Sequence, residues 1–206
     1  MSNTTADKLQ LLQQTKQAIR TAINNKGGSL TESDPFSSYA SAIANLLGGS
    51  DSLIDGSITS VNSNVTTLRY FAFAYCNFLT DVILPLVQVI AGSSFKYCSN
   101  LANIQIQSAI TIESNAFESC VGLYSIDLPN VTTIESNAFL DCYNLASITL
   151  GSSQVVTLQD AYSLPADSGH HLTIYVPSSL IEDYKIASIW SDYYNNGYVD
   201  FVAIQE

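Results

Sequence analysis

The residues of this chain best suited to chemistry are four cysteines that stand at intervals of twenty-two residues. Cys76, Cys98, Cys120 and Cys142 are its whole cysteine content. Thiols form disulfides or bind zinc, but this spacing matches no zinc-binding pattern. If the intervals mark stacked repeats, the equivalent side chains point the same way, and parallel Cα–Cβ bonds are poor geometry for a disulfide. We therefore expect a buried column of free thiols, which behave as small apolar side chains.

Histidines and paired acids are the other candidates for chemistry. His170 and His171 are adjacent, and adjacent residues of an extended chain face opposite sides, so we do not expect them to chelate one ion together. Glu113 and Glu135 occupy equivalent repeat positions. We expect them to form a solvated surface column, because a catalytic carboxylate pair needs a cleft and one raised pKa. No phosphate-binding loop or nucleophile elbow occurs. The sequence therefore predicts no catalytic residue, no metal site and no cofactor.

Composition excludes several classes of partner. The net charge is −11, from 18 acids against 7 bases, and no run of Lys and Arg occurs, so we expect no nucleic-acid binding. The first residues lack the apolar segment of a signal peptide, and no stretch of about 18 apolar residues predicts membrane insertion. Only 12% of the residues are charged, so Ser, Thr, Asn and Gln must cover the surface. This composition favours an extracellular, cell-surface or virion setting.

The cysteines belong to a longer repeated pattern. Phenylalanines at 73, 95, 117 and 139 and leucines at 79, 101, 123 and 145 keep the same interval. Within one repeat, Ile126-x-Leu128 alternates as a strand does, and we predict one short strand per repeat. The following segment, which ends in Ala138-Phe139, is too short for a full helix and predicts a turn or a piece of 3₁₀ helix. Because one repeat cannot bury its own apolar side, we predict a stack of repeats.

This pattern resembles the BspA-like variety of the leucine-rich repeat. The segments Asn-Ala-Phe-Glu-Ser-Cys-Val-Gly-Leu (115–123) and Asn-Ala-Phe-Leu-Asp-Cys-Tyr-Asn-Leu (137–145) carry the resemblance, which covers about residues 53–177. It implies an α/β repeat fold: a right-handed solenoid with a parallel β-sheet on one face and short turns or 3₁₀ pieces on the other. We expect five to six coils within residues 51–177. A C-terminal cap at 178–206 should contain a helix over 178–194, with an edge strand near Phe201.

Residues 1–50 lie outside the repeat, and their sequence pattern predicts a helical hairpin. Apolar residues recur at helical spacing before Gly27-Gly28, and Asp34-Pro35 provides a cap and first turn for a second helix. Residues 15–28 and 34–43 resemble segments that begin phage and prophage structural proteins. The resemblance implies a virion or tail-associated protein, in which these helices form a homo-oligomer or dock into an assembly.

The outward surface of the strands is the remaining candidate site, because leucine-rich repeats usually bind their ligands there. We predict non-enzymatic recognition of a protein or glycan ligand by this surface, as in an adhesin or a virion-associated binding protein. The alternative is a structural component of a phage or prophage tail-type assembly, docked through the N-terminal helices. The predicted ligand-binding residues are Asp81, Asn103, Gln105, Tyr124, Ser125, Asp127, Ser147 and Thr149.

Overall fold

The computed structural model describes residues 59–166 and 169–205, together with Gln17, Arg20, Thr21 and Asn24. The chain divides into two units, residues 1–58 and 59–206, and the second contains the repeats. The four isolated residues are helical. The rest of the predicted helical hairpin lies outside the described residues.

Short parallel strands dominate the second unit. They form three parallel sheets, of which two, in the orders β1-β2-β4 and β6-β8-β10-β11, contain the strands predicted from the Ile-x-Leu pattern. In chain order the strands are β1 (Ser60–Asn62), β2 (Asp81–Ile83), β3 (Val89–Ile90), β4 (Asn103–Gln105), β5 (Thr111–Ile112), β6 (Ser125–Leu128), β7 (Thr133–Ile134), β8 (Ser147–Leu150), β9 (Thr157–Leu158), β10 (Leu172–Val176) and β11 (Val199–Ala203).

The prediction of a single strand per repeat was wrong. The third sheet consists of the two-residue strands β3, β5, β7 and β9, which pair in parallel with a register of one repeat. Residues such as Thr133 and Ile134 are β-branched and suit a sheet. Two residues are too few to produce a recognisable alternation, which is why the sequence pattern did not predict this sheet.

The segment around each Ala-Phe pair is a series of turns, one of the two alternatives that the sequence left open. Asn115 and Ser119 have left-handed backbones, with φ of 61° and 60°, which Asn and small polar residues tolerate better than most. The N–H of Phe95 donates to the carbonyl of Ala116 in the next coil, at 2.9 Å, while the N–H of Cys98 donates back to Phe95 O at 3.0 Å. The turns therefore satisfy their backbone groups both within a coil and between coils.

The predicted spine of the solenoid is confirmed. The Phe73, Phe95, Phe117 and Phe139 rings stack with centroids 5.2–5.4 Å apart, and the last three are fully buried. The leucines at 79, 101, 123 and 145 are also fully buried. Each large apolar side chain buried in this way is worth roughly 1.5–3 kcal/mol before ordering entropy is subtracted.

The C-terminal region contains three short helices in place of the single helix predicted over 178–194. A 3₁₀ helix (Ser178–Leu180) leads into α1 (Ile181–Ile186), and α2 (Trp190–Asn195) follows after a break at Ile189, where φ is 68°. The break lets the indole of Trp190 donate to Val156 O at 2.7 Å, in the last coil. The edge strand expected near Phe201 is β11, which pairs with β10.

Candidate functional site

The strand face is the surface formed by the outward side chains of β1, β2, β4, β6, β8, β10 and β11. Successive side chains of a strand alternate between the two sides of a sheet, so every second residue of these strands points outward. Their inward partners, such as Val82 and Ile148, are buried in the core. All eight predicted ligand-binding residues lie in these strands or directly beside them.

Asp81, Asn103 and Gln105 form one polar group on β2 and β4. Asp81 lies opposite Asn103 in the ladder, and the Asn103 amide donates to the Asp81 carboxylate at 2.7 Å. The hydroxyl of Thr80 donates to the other carboxylate oxygen at 2.5 Å. These two hydrogen bonds, first that of Thr80 and then that of Asn103, lower the pKa of Asp81. Gln105 is exposed at the other end of β4.

The remaining predicted residues form a second group, on β6 and β8. Ser125 lies opposite Ser147 and Asp127 opposite Thr149. The two β6 side chains are exposed, whereas those of β8 are half-buried. Tyr124 comes immediately before β6, and 67% of its surface is exposed. The group thus offers a carboxylate, hydroxyls and an aromatic ring to solvent.

The two groups are separated by an interruption of the sheet between β4 and β6. Within the described residues, no ladder joins these neighbouring strands. The Ala146 N–H donates to Tyr124 O at 2.8 Å. The equivalent hydrogen bond one coil earlier, from the Tyr124 N–H to Ala102 O, does not occur among the described residues. The inward residues on either side, Ile104 and Ile126, are 8% and 4% exposed, compared with 0% for Ile148. The strand face is therefore split between the two groups.

A departure from the repeat, Gly122, lies three residues before β6, beside the interruption. Asn100 and Asn144 occupy the equivalent position, and each side-chain amide donates to a backbone carbonyl of the preceding coil, at 2.5 and 2.7 Å. Gly122 has no side chain to make this bond. A Cβ atom here would lie 2.9 Å from Ser99 O, so the coils are too close at this corner for another residue. At the far end of β6, Asn130 makes a different bond between coils, in which its side-chain amide donates to Gln107 O at 2.7 Å.

The expectation of a solvated column for Glu113 and Glu135 was wrong. Both are half-buried, and their carboxylates accept backbone N–H groups of the preceding coil, from Gly92 at 2.9 Å and from Ser114 at 3.0 Å. Gln159 repeats the arrangement with the N–H of Ser136. These side chains complete the inter-coil hydrogen bonding, a structural role that an amide fills as well as a carboxylate.

The predicted thiol column is confirmed. Cys98, Cys120 and Cys142 are fully buried, and each Sγ lies 3.0–3.1 Å from the carbonyl of a phenylalanine in the preceding coil. All four cysteines are free, and Cys76 is half-buried. Burial raises the pKa of Cys98 and of Cys142 to about 12, which keeps these thiols protonated and unreactive.

The two histidines of the pair have separate contacts. His170 Nε2 lies 2.6 Å from Leu145 O, and His171 Nε2 lies 3.5 Å from a carboxylate oxygen of Asp200. No group of three His, Cys, Asp or Glu side chains among the described residues is arranged to hold a metal ion. In the same part of the chain, no helix is both long and apolar enough to cross a membrane.

Sequence reasoning missed one concave site, next to the C-terminal helices. A cavity of about 310 Å³ lies between the turn at 140–143, the loop at 161–166 and the segment 189–198 that contains α2. Tyr143 and Tyr162 are 64% and 66% exposed at its rim. Asp141 and Asp192 also line it. The three segments are far apart in sequence, and only the unusual frequency of tyrosine in this region could have pointed to it.

The fold and its exposed strands define a class: a solenoid of short repeats that presents one face of parallel strands, as extended binding scaffolds do. The sequence matches the family described as BspA type leucine rich repeat region, in 6 copies over residues 55–164. This span is more than half of the 206 residues, and the chain belongs to this family. No curated protein and no solved structure matches the chain. The matched span leaves out residues 1–50 and so does not bear on their resemblance to phage proteins.

Proposed function

We propose that this leucine-rich repeat protein is a non-enzymatic recognition module that binds a protein or carbohydrate ligand through its strand face. Leucine-rich repeats serve as binding scaffolds, and the outward residues here are small and polar around one exposed aromatic ring, Tyr124. Aromatic rings and hydrogen-bonding side chains together are what polar ligands require. A cell-surface or virion setting is consistent with a surface that is poor in charge.

The interruption between β4 and β6 is the observation that carries the proposal. A continuous sheet uses the backbone N–H and C=O groups of its inner strands internally, and only its side chains remain for a ligand. Where the ladder is interrupted, backbone groups of β4 and β6 are not engaged in ladder hydrogen bonds, and a ligand on the strand face can hydrogen-bond to them. The interruption lies between Gln105 and Asp127, in the middle of the predicted residues.

Binding to arrays of glycans and of surface proteins tests the proposal. We expect Tyr124→Ala and Asp127→Lys to abolish binding of any ligand that the native protein retains, because they remove the ring and reverse the charge beside the interruption. Asp183→Lys is the matched control, since it reverses an exposed charge on α1, away from the strand face. Binding that survives both strand-face substitutions would exclude this surface as the site.

The alternative function is structural, with the N-terminal helices docking the solenoid into a phage or prophage tail-type assembly. It is favoured by the helical spacing of apolar residues within 15–28 and 34–43. Light scattering on the full-length chain and on a variant lacking residues 1–50 tests it. We expect a multimer only for the full-length chain, and equal monomer masses would contradict the docking role.

A further inference from the structure

The cavity beside the C-terminal helices has an apolar interior and an aromatic rim. Leu140, Leu164 and the ring of Tyr193 line its interior, and Tyr193 is held in place by a hydrogen bond from its hydroxyl to Ala161 O, at 2.7 Å. The tyrosines at 143 and 162 stand exposed at the rim. At about 310 Å³, the cavity lies at the lower end of the range for ligand sites, so it has room for a group the size of one side chain.

The charge of the cavity is uniformly negative. Asp141 and Asp192 are the only charged residues that line it among those the structure describes. The Tyr143 hydroxyl donates to the Asp141 carboxylate at 2.5 Å, which fixes the orientation of that carboxylate towards the tyrosine. A cation bound in the cavity is attracted by both aspartates that line it, whereas a neutral ligand is not. The net charge of −11 further attracts a cationic partner.

We propose that this cavity receives the guanidinium group of an arginine side chain presented by a partner protein. A planar guanidinium stacks on tyrosine faces and forms paired hydrogen bonds to a carboxylate. Its aliphatic stem suits the apolar interior formed by Leu140 and Leu164. Three features thus match one ligand chemistry: an aromatic rim, unneutralised carboxylates and a small apolar interior. The site is separate from the strand face, and neither proposal depends on the other.

The test is an NMR titration of the full chain with Nα-acetyl-L-arginine methylamide, observed at the ring signals of Tyr143 and Tyr162. The corresponding citrulline derivative is the matched ligand control, because it has nearly the same shape but a neutral urea group in place of the guanidinium. We expect saturable shifts with the arginine compound and at least about five-fold weaker binding of the citrulline compound. Raising the salt concentration should weaken the arginine complex, since the carboxylates are solvent-accessible.

Asp192→Asn provides the protein control, because it removes one charge while keeping the size of the side chain. We expect it to weaken binding of the arginine compound about five-fold, whereas Asp183→Asn, on α1 and outside the cavity, should leave it unchanged. Circular dichroism would verify that both variants keep the native fold. Equal binding of the citrulline compound, or unchanged binding by Asp192→Asn, would overturn the proposal. So would saturable binding of methyl glycosides at these tyrosines without binding of the arginine compound.

Discussion

Replacing Phe117 by alanine tests the idea that a single stack of rings holds the coils together. The Phe117 ring is fully buried and lies between Phe95 and Phe139, at centroid distances of 5.4 and 5.2 Å. Phe→Ala in a packed core costs roughly 3–5 kcal/mol, which includes the loss of ring pairs worth about 0.5–1.5 kcal/mol each. Because Phe117 loses two ring neighbours and leaves a cavity with few routes to collapse, we expect about 4 kcal/mol.

Phe73 offers a control within the same column. Its ring stacks on Phe95 alone, at 5.3 Å, and is only half-buried. Phe73→Ala should therefore cost about half as much, ~2 kcal/mol. Equilibrium unfolding in urea measures both: with an m-value of about 2 kcal/mol/M, the Phe117 variant should unfold at a urea concentration roughly 2 M lower than the native chain. If Phe73→Ala proved as costly as Phe117→Ala, the stability would not follow ring-to-ring contact, and the argument would fail.

Four further predictions concern the sheet, the core and the thiols. Amide hydrogen exchange should be about five-fold faster at the amides of β6 that face β4 than at the equivalent amides of β8, because each missing ladder bond removes about 1 kcal/mol of protection. Equal rates would contradict the interruption. Ser94→Ala should raise the unfolding free energy by about 1 kcal/mol in urea titrations, since its buried hydroxyl has no hydrogen-bond partner among the described residues. Iodoacetamide should modify Cys76 faster than the fully buried Cys120, as mass spectrometry would show. An unfolded thiol ionises near pH 8.5 whereas Cys98 and Cys142 have a pKa raised to about 12, so the unfolding free energy should fall as the pH rises above about 8.5.

The core of the solenoid was predictable because every coil repeats the same packing problem. Phe95, Cys120 and Ile126 each recur twenty-two residues away in an equivalent environment, so the interval alone places them in buried columns. The sheet of two-residue strands (β3, β5, β7 and β9) and the break in the C-terminal helix were not predictable in this way. The first depends on two residues per coil, and the second depends on a tertiary contact, the hydrogen bond from Trp190 to the last coil.

The strand-face side chains were also predictable, since alternation fixes which residues point outward. What the sequence pattern could not predict is that the face is split. The repeat template predicts a continuous sheet, whereas no ladder joins β4 to β6 among the described residues, and the neighbouring coils approach so closely at Gly122 that a Cβ atom would lie 2.9 Å from Ser99 O. That approach is a distance between two coils, and no periodicity within the sequence measures it.

Departures from the repeat are therefore where specific function is to be sought in this chain. A residue that matches the template is already explained by packing, as Leu123 and Phe117 are. Tyr124 stands where Ala102 and Ala146 occur, and an exposed aromatic ring there does nothing for the core. Gly122 precedes it by two residues, and the sheet is interrupted beside it. Because packing does not require an aromatic ring at Tyr124 and the sheet is interrupted beside it, we place the proposed ligand contacts there rather than along the whole surface.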